Sequence, residues 1–233
     1  MASQTIKAFT AGATREGLNL CAIPFTAQTG IPIEAHTNHG HMIEQEVMAG
    51  NVDDDIVLLP SAMIDELAKN KLVDSSTRTA IGTIRIGAAV REGVPTPDVL
   101  TLTSVTQTLF SAKSIVLTEA PSGVHMDRVI TELGLGHKLA DRITRYDTGT
   151  MVNEHLSTSR AKAEIAFGVA TEILFFRDRG VCYAGPLPDE MQMALDYEAV
   201  MLKSCQKPDA VEMLFTFLKT QGSQNLFAQT GVG

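Results

Sequence analysis

Asp55-Ile56-Val57-Leu58-Leu59-Pro60-Ser61-Ala62-Met63-Ile64-Asp65-Glu66-Leu67 carries the pattern that decides the fold. Its first half is an apolar run stopped by a proline. Its second half places Ile64 and Leu67 on one face of a helix expected over residues 62–70. A strand that is apolar on both faces needs cover on both faces, and helices crossing over a parallel sheet supply it.

The same alternation continues on either side. Upstream, strands are expected at 6–9 and at 31–35, the second entered through Gly30. Helices are expected at 16–26, with Pro24 near the end, and at 42–49, closed by Gly50. Downstream, strands are expected at 84–90, 114–117, 143–146, 163–168, 181–183 and 195–202. Helices are expected at 104–110, 124–133, 152–159, 208–220 and 223–228. Gly134-Leu135-Gly136 follows a helix and therefore reads as a helix stop, not a dinucleotide loop. The two long strands near 84–90 and 195–202 are natural crossings between lobes. They divide the chain into residues 1–87 plus 203–233 as one lobe and 88–202 as the other.

Bulk properties exclude several classes of function. A chain of 233 residues with 44% hydrophobic content can bury one large core or two smaller ones. Nineteen basic against twenty-seven acidic residues leave a net charge of −8, so nucleic acid and anionic membranes are not expected partners. A local site for a small anion remains compatible with that balance. No apolar run reaches membrane-spanning length. The opening Met1-Ala2-Ser3-Gln4-Thr5 does not read as a leader. The expected compartment is the periplasm if a leader has been trimmed, and the cytoplasm otherwise. Cys21, Cys182 and Cys205 make no CxxC and are expected as small buried hydrophobes.

In open sheets of this kind, ligands bind beyond the carboxyl ends of the strands, at helix starts. The segments that follow the strands are therefore the candidate site. After the first strand comes Thr10-Ala11-Gly12-Ala13-Thr14-Arg15; its small residues admit a ligand to the backbone, and Arg15 suits a carboxylate. Next come His36-Thr37-Asn38-His39-Gly40-His41 and Pro60-Ser61-Ala62. In the other lobe the segments are Glu119-Ala120-Pro121-Ser122-Gly123-Val124-His125, Thr148-Gly149-Thr150-Met151-Val152-Asn153 and Ala170-Thr171-Glu172. Four of the six histidines fall in these segments. His39 and His41 alone, with no carboxylate at ligand spacing, do not make a metal site, so neither metal nor cofactor is expected. Ser61 and Ser122 read as anion-binding hydroxyls, since no nucleophile motif surrounds them.

Several segments, in order, carry a family resemblance. They are Phe25-Thr26-Ala27-Gln28-Thr29-Gly30-Ile31-Pro32-Ile33, Asp55 to Pro60, and Ile86-Gly87-Ala88-Ala89-Val90-Arg91-Glu92-Gly93-Val94-Pro95-Thr96-Pro97-Asp98-Val99. They continue with Ala112-Lys113-Ser114-Ile115, Pro121-Ser122-Gly123, Gly185-Pro186-Leu187-Pro188 and Thr230-Gly231. With these segments the chain resembles the molybdate-binding-protein-like branch of the type II periplasmic binding proteins, over nearly its whole length. The resemblance implies a two-lobed α/β fold with a ligand cleft between the lobes, and the membrane component of an ABC transporter as a partner. The ligand-contacting positions it implies are Ala13, Thr14, Arg15, His39, Gly40, Ser61, Ser122, Gly123, Val152 and Thr171.

The chain departs from the molybdate binders where they place a serine after each of the first two strands. Here those stretches read Gly12-Ala13-Thr14 and His39-Gly40-His41, and the tyrosine such binders carry near Val169 is missing. Losing hydrogen bonds to a charged ligand costs about 1.5–3 kcal/mol each. The expected ligand is therefore a di- or tricarboxylate rather than molybdate, bound by a solute-binding protein. The alternative is a cofactor-free isomerase like aconitate isomerase, a relative within the same resemblance. It would use His39, His41 or His125 as its base, with Glu172 the next candidate. A sensing module that has lost transport is a third possibility.

Overall fold

The computed structural model describes residues 5–233, and the expectation for the opening Met1-Ala2-Ser3-Gln4 lies outside them. The chain forms two compact units, one running to Ile84 and resuming over Leu195–Gly233, the other Arg85–Ala194. The boundaries expected from sequence, at 87/88 and 202/203, fall instead at 84/85 and 194/195. The strand that follows the second unit belongs to the first because it pairs there along its length.

In the first unit, β1 (Ile6–Ala11), β2 (Ile33–Asn38) and β3 (Ile56–Pro60) are parallel, in the order β2-β1-β3. Each is followed at once by a helix: α1 (Gly12–Thr29), α2 (Gly40–Met48) and α3 (Ser61–Lys69). Residues Ile56 to Leu59 have no exposed surface, as the unbroken apolar run requires. Helix α1 ends at Gly30, whose left-handed φ of 73° lets its N–H close on the Thr26 carbonyl.

Strand β4 (Val73–Arg91) is longer than expected, because residues 73–83 also take strand conformation. Polar residues such as Ser75, Ser76 and Arg78 hid that half. What makes it a strand is partners far along the chain: Met201 donates its N–H to Thr77 Oγ1 at 3.1 Å, and Lys203 to the Leu72 carbonyl at 2.9 Å.

The second unit repeats the plan. It contains α4 (Leu102–Ser111), β5 (Ser114–Thr118), α5 (Pro121–Glu132), α6 (Gly136–Leu139), β6 (Ile143–Tyr146), α7 (Gly149–Thr158), β7 (Glu164–Val169), α8 (Ala170–Phe175) and β8 (Val181–Pro186). Here β5, β6 and β7 are parallel, while β4 pairs antiparallel with β7 and β8. The chain returns to the first unit through β9 (Ala194–Leu202), antiparallel to β3, and ends in α9 (Pro208–Leu218) and α10 (Gln221–Ala228). The parallel pattern thus holds for the two three-strand sets, and the long connecting strands run against them.

Helix starts differ most from the sequence reading. Helix α1 begins at Gly12 rather than Glu16, α2 at Gly40 rather than Met42, and α5 at Pro121 rather than Val124. Ala13, Thr14, Arg15, His41, Ser122 and Gly123 therefore lie on helices rather than in loops, His125 lies on α5 within its expected helix, and His36 lies within β2. Proline at the first helical position was the available signal for α5, since its missing N–H costs nothing there. Segment 170–172, read as a loop, opens α8.

The second unit's core includes Ile86, Leu109, Ile115, Leu117, Met126 and Phe167, and a smaller cluster gathers Val152, Leu156, Ile173 and Phe176. All three cysteines are free, but only Cys21 is buried; Cys182 and Cys205 are half-buried, which corrects the expectation for those two.

Candidate functional site

Parallel pairing places the carboxyl ends of β1, β2 and β3 along one edge of the first unit's sheet. The first turns of α1, α2 and α3 open there. Their N-cap residues, Ala11, His39 and Pro60, make no side-chain cap bond. The earliest N–H groups of a helix have no intrahelical acceptor, so this edge presents uncapped donors and three positive dipole ends.

The side chains on this edge are committed in an informative way. The Thr14 hydroxyl is fully buried, 2.7 Å from Thr10 Oγ1, and donates to the Ala11 carbonyl at 3.2 Å. Ser61 Oγ donates to the Asp196 carbonyl at 3.1 Å. Both hydroxyls are thus engaged within the protein. His39 and His41 are exposed, with rings stacked 5.8 Å apart and nearly parallel at 13°. Arg15 is half-buried and donates Nε to Glu16 at 2.9 Å. Gly40 lies between them, where a Cβ would meet Met63 Sδ at 3.0 Å.

The second unit's equivalent edge is built differently. Helix α5 starts with Ala120 as an N-cap that makes no side-chain cap bond and with Pro121 at its first position. Ser122 is buried beside it, and Gly123 donates its N–H to the Ala120 carbonyl at 2.9 Å. Helix α7 is closed instead. Thr148 accepts the Met151 N–H at 3.0 Å, and a Cβ on Gly149 would overlap the Glu172 carboxylate. A carboxylate at that position complements the helix dipole internally. Val152, among the expected contacts, points into the core cluster. Thr171 is buried, and its hydroxyl has no hydrogen-bond partner.

His125 differs from the other candidate histidines. It is buried, its Nε2 lies 2.9 Å from the Met191 carbonyl, and Arg128 approaches Nδ1 at 3.0 Å. Guanidinium can only donate and carbonyl can only accept, so the proton belongs on Nε2 and both nitrogens are engaged.

The structure therefore brings Ala13, Thr14, Arg15, His39, Gly40, His41 and Ser61 to one edge of the first unit. Ser122, Gly123, Val152 and Thr171 lie near the starts of the helices that follow β5, β6 and β7 in the second. Sequence reasoning missed Thr148 as the cap of α7 and Glu172 as the carboxylate against its start. A threonine three residues before Met151 was a readable cap signal, whereas the placement of Glu172 depends on tertiary contact. Among the described residues, no group of three or more His, Cys, Asp or Glu is arranged to hold a metal ion, and no helix is long and apolar enough to cross a membrane.

Two α/β units, each feeding parallel strands into helix starts and joined through long antiparallel strands, define the solute-binding-protein fold. The chain belongs to the family of bacterial extracellular solute-binding proteins, whose sequence profile matches residues 6–232. It is 26% identical over 189 residues to an aconitate isomerase from a Pseudomonas species, covering 79% of this chain and 69% of that one. Its fold is similar to that of the periplasmic molybdate-binding protein of Azotobacter vinelandii, with a TM-score of 0.76, 15% identity and 98% coverage of both chains. The sulfate-binding protein of Mycobacterium tuberculosis aligns with a TM-score of 0.75 at 15% identity, covering 98% of this chain and 86% of that one.

Proposed function

We propose that this chain binds a small organic anion, a di- or tricarboxylate, as the solute-binding component of a transport system in the periplasm. The observation that carries the reading is that the Thr14 and Ser61 hydroxyls are both engaged within the protein, Thr14 in the interior and Ser61 at the surface. With those donors removed, the first unit's edge offers backbone N–H groups and two imidazoles, beside the guanidinium of Arg15 that is already paired with Glu16. A carboxylate matches backbone N–H pairs and guanidinium well, whereas a compact tetrahedral oxyanion would lose the hydroxyl donors. Ser122 and Gly123 are proposed as ligand-contacting residues of α5, and an ABC transporter membrane component as the partner.

Titration calorimetry tests the reading directly. Citrate, tricarballylate and the aconitates are expected to bind at least about tenfold more tightly than molybdate or sulfate, the equivalent of one lost charged hydrogen bond. Tight molybdate binding with no carboxylate response would refute it.

A second reading is favoured by the similarity to an aconitate isomerase and by the two exposed imidazoles. In that reaction a base removes a proton from the methylene carbon, the double bond shifts, and a proton is delivered to the former vinyl carbon. No cofactor is needed, but the developing negative charge must be held by fixed donors. His39 and His41 are the proposed bases, because His125 has both ring nitrogens engaged. Incubating trans-aconitate with the protein in D2O should then place deuterium in recovered substrate and product. Replacing the base by Ala should lower turnover by about 10²–10⁴-fold with little change in affinity. Absence of both turnover and exchange would leave the binding function alone.

A further inference from the structure

The first unit has a second concave feature, at the end of its parallel strands away from the helix starts. Lys7 and Glu34 sit one residue into β1 and β2, Asp53 and Asp54 precede β3, and Glu46 lies near the end of α2. Together with His36 these groups line a hollow of about 240 Å3.

Four carboxylates face two basic groups here, and the basic groups do not balance them. The Lys7 ammonium is engaged with Asp53 at 2.6 Å. Glu46 is met by the neutral Asn38 amide at 3.2 Å. Asp54 is the informative member. It is only 5% exposed, and its Oδ1 is buried without a hydrogen-bond partner. His36 Nδ1 lies 3.4 Å from that oxygen but does not donate to it in hydrogen-bond geometry, and it carries charge only when protonated. A buried carboxylate oxygen lacking a donor is costly, and the cost is relieved by whatever brings a donor or a positive charge. Beside it, the His36 ring is 54% exposed and stacks on Phe9 with centroids 4.2 Å apart, which gives the hollow a flat wall.

We propose that this hollow binds a small guanidinium-bearing organic cation, with Asp54 as its buried counter-charge and the His36–Phe9 stack as its flat wall. Guanidinium is favoured over a chelated metal because, among the described residues, no three ligating side chains converge at metal geometry. It is favoured over ammonium because its planar fork pairs with carboxylates and its face stacks on a ring. The site stands apart from the proposed anion site, on different residues of the same unit, so either can fail without the other.

The test titrates methylguanidinium into the full chain, followed by calorimetry and by the His36 ring resonances, with the neutral near-isostere methylurea as control. Methylguanidinium should bind saturably and shift His36, with methylurea at least about tenfold weaker. Asp54→Asn should weaken binding by about 10–100-fold while leaving carboxylate affinity unchanged. If Asp54→Asn fails to fold, Glu46→Gln should still weaken binding several-fold. Equal responses to methylguanidinium and methylurea would overturn the proposal. So would a His36 shift produced by Zn2+ but not by methylguanidinium, or a fully folded Asp54→Asn protein that binds as wild type does.

Discussion

Replacing Gly123 by alanine probes the contact that seats α5 on its sheet. A Cβ at this position would overlap the Thr118 carbonyl oxygen and lie 2.7 Å from its carbonyl carbon and 2.9 Å from its nitrogen. All three are backbone atoms at the end of β5, which is hydrogen-bonded to both β6 and β7 and cannot step aside. Relief must come from lifting the first turn of α5, which carries Met126, Val129 and Ile130 in the second unit's core. Overpacking typically costs about 1–3 kcal/mol and occasionally more, and a Cβ driven onto three fixed backbone atoms belongs beyond the upper end, at about 4 kcal/mol. Alanine's intrinsic helical advantage of about 1 kcal/mol over glycine offsets only part of that. A net loss of about 3 kcal/mol corresponds to a fall in Tm of about 6–12 °C for a chain of this size. The internal control is Gly222→Ala in α10, where the nearest atom to a new Cβ is Thr220 Oγ1 at 3.8 Å. That variant should gain about 0.5–1 kcal/mol and melt slightly higher. Scanning calorimetry on both variants, with urea unfolding as a second measure, decides the matter. A Gly123→Ala protein that melts within 2 °C or so of wild type, roughly half a kcal/mol, would refute the assigned close contact.

Two further outcomes follow from titratable groups. Burial raises Asp54 from its ordinary value, with His36 and Lys7 opposing it. A raised folded-state value means the native state holds its proton longer, so ionised Asp54 costs stability once the pH exceeds its unfolded value of about 3.9. Asp54→Asn should therefore raise Tm at pH 7, with the gain fading as the pH falls through the raised folded-state value and gone by the time it is below about 4; an unchanged or lower Tm at pH 7 would contradict the buried, donor-poor environment. Burial also pushes the Cys21 thiol up to about 11. At pH 8 it is then almost entirely protonated, so alkylation of the native chain should modify Cys182 and Cys205 first and reach Cys21 only on unfolding. Mass mapping that finds Cys21 labelled early in the native state would count against its placement under α10.

Much of the architecture could be read without coordinates, because it rests on patterns local in the chain. Ile56 to Leu59 can only be a doubly covered strand, and Ile64 with Leu67 can only face one way on a helix, so the alternation of elements followed. The gathering of helix starts at one edge of the sheet followed too, since parallel strands and crossover helices bring them there. What local pattern could not supply was anything requiring a distant partner. Residues 73–83 look polar and loop-like, yet pairing with β9 makes them strand. Val152 stands in a strand-end segment, but the packing of α7 on β7 turns it into the core. Thr14 and Ser61 offer hydroxyls by composition, whereas Thr10, Ala11 and Asp196 decide that those hydroxyls are engaged within the protein. His125 and His39 are equivalent in sequence terms; only the Met191 carbonyl and Arg128 distinguish an engaged imidazole from an available one. The hollow around Asp54 gathers residues from β1, β2, α2 and the turn before β3, and no spacing along the chain announces it. Hydrophobic periodicity acts between near neighbours and is written in the sequence. The direction of a side chain and the donors it meets are fixed only when remote segments pack, and for this protein the ligand chemistry rests on that second kind of information.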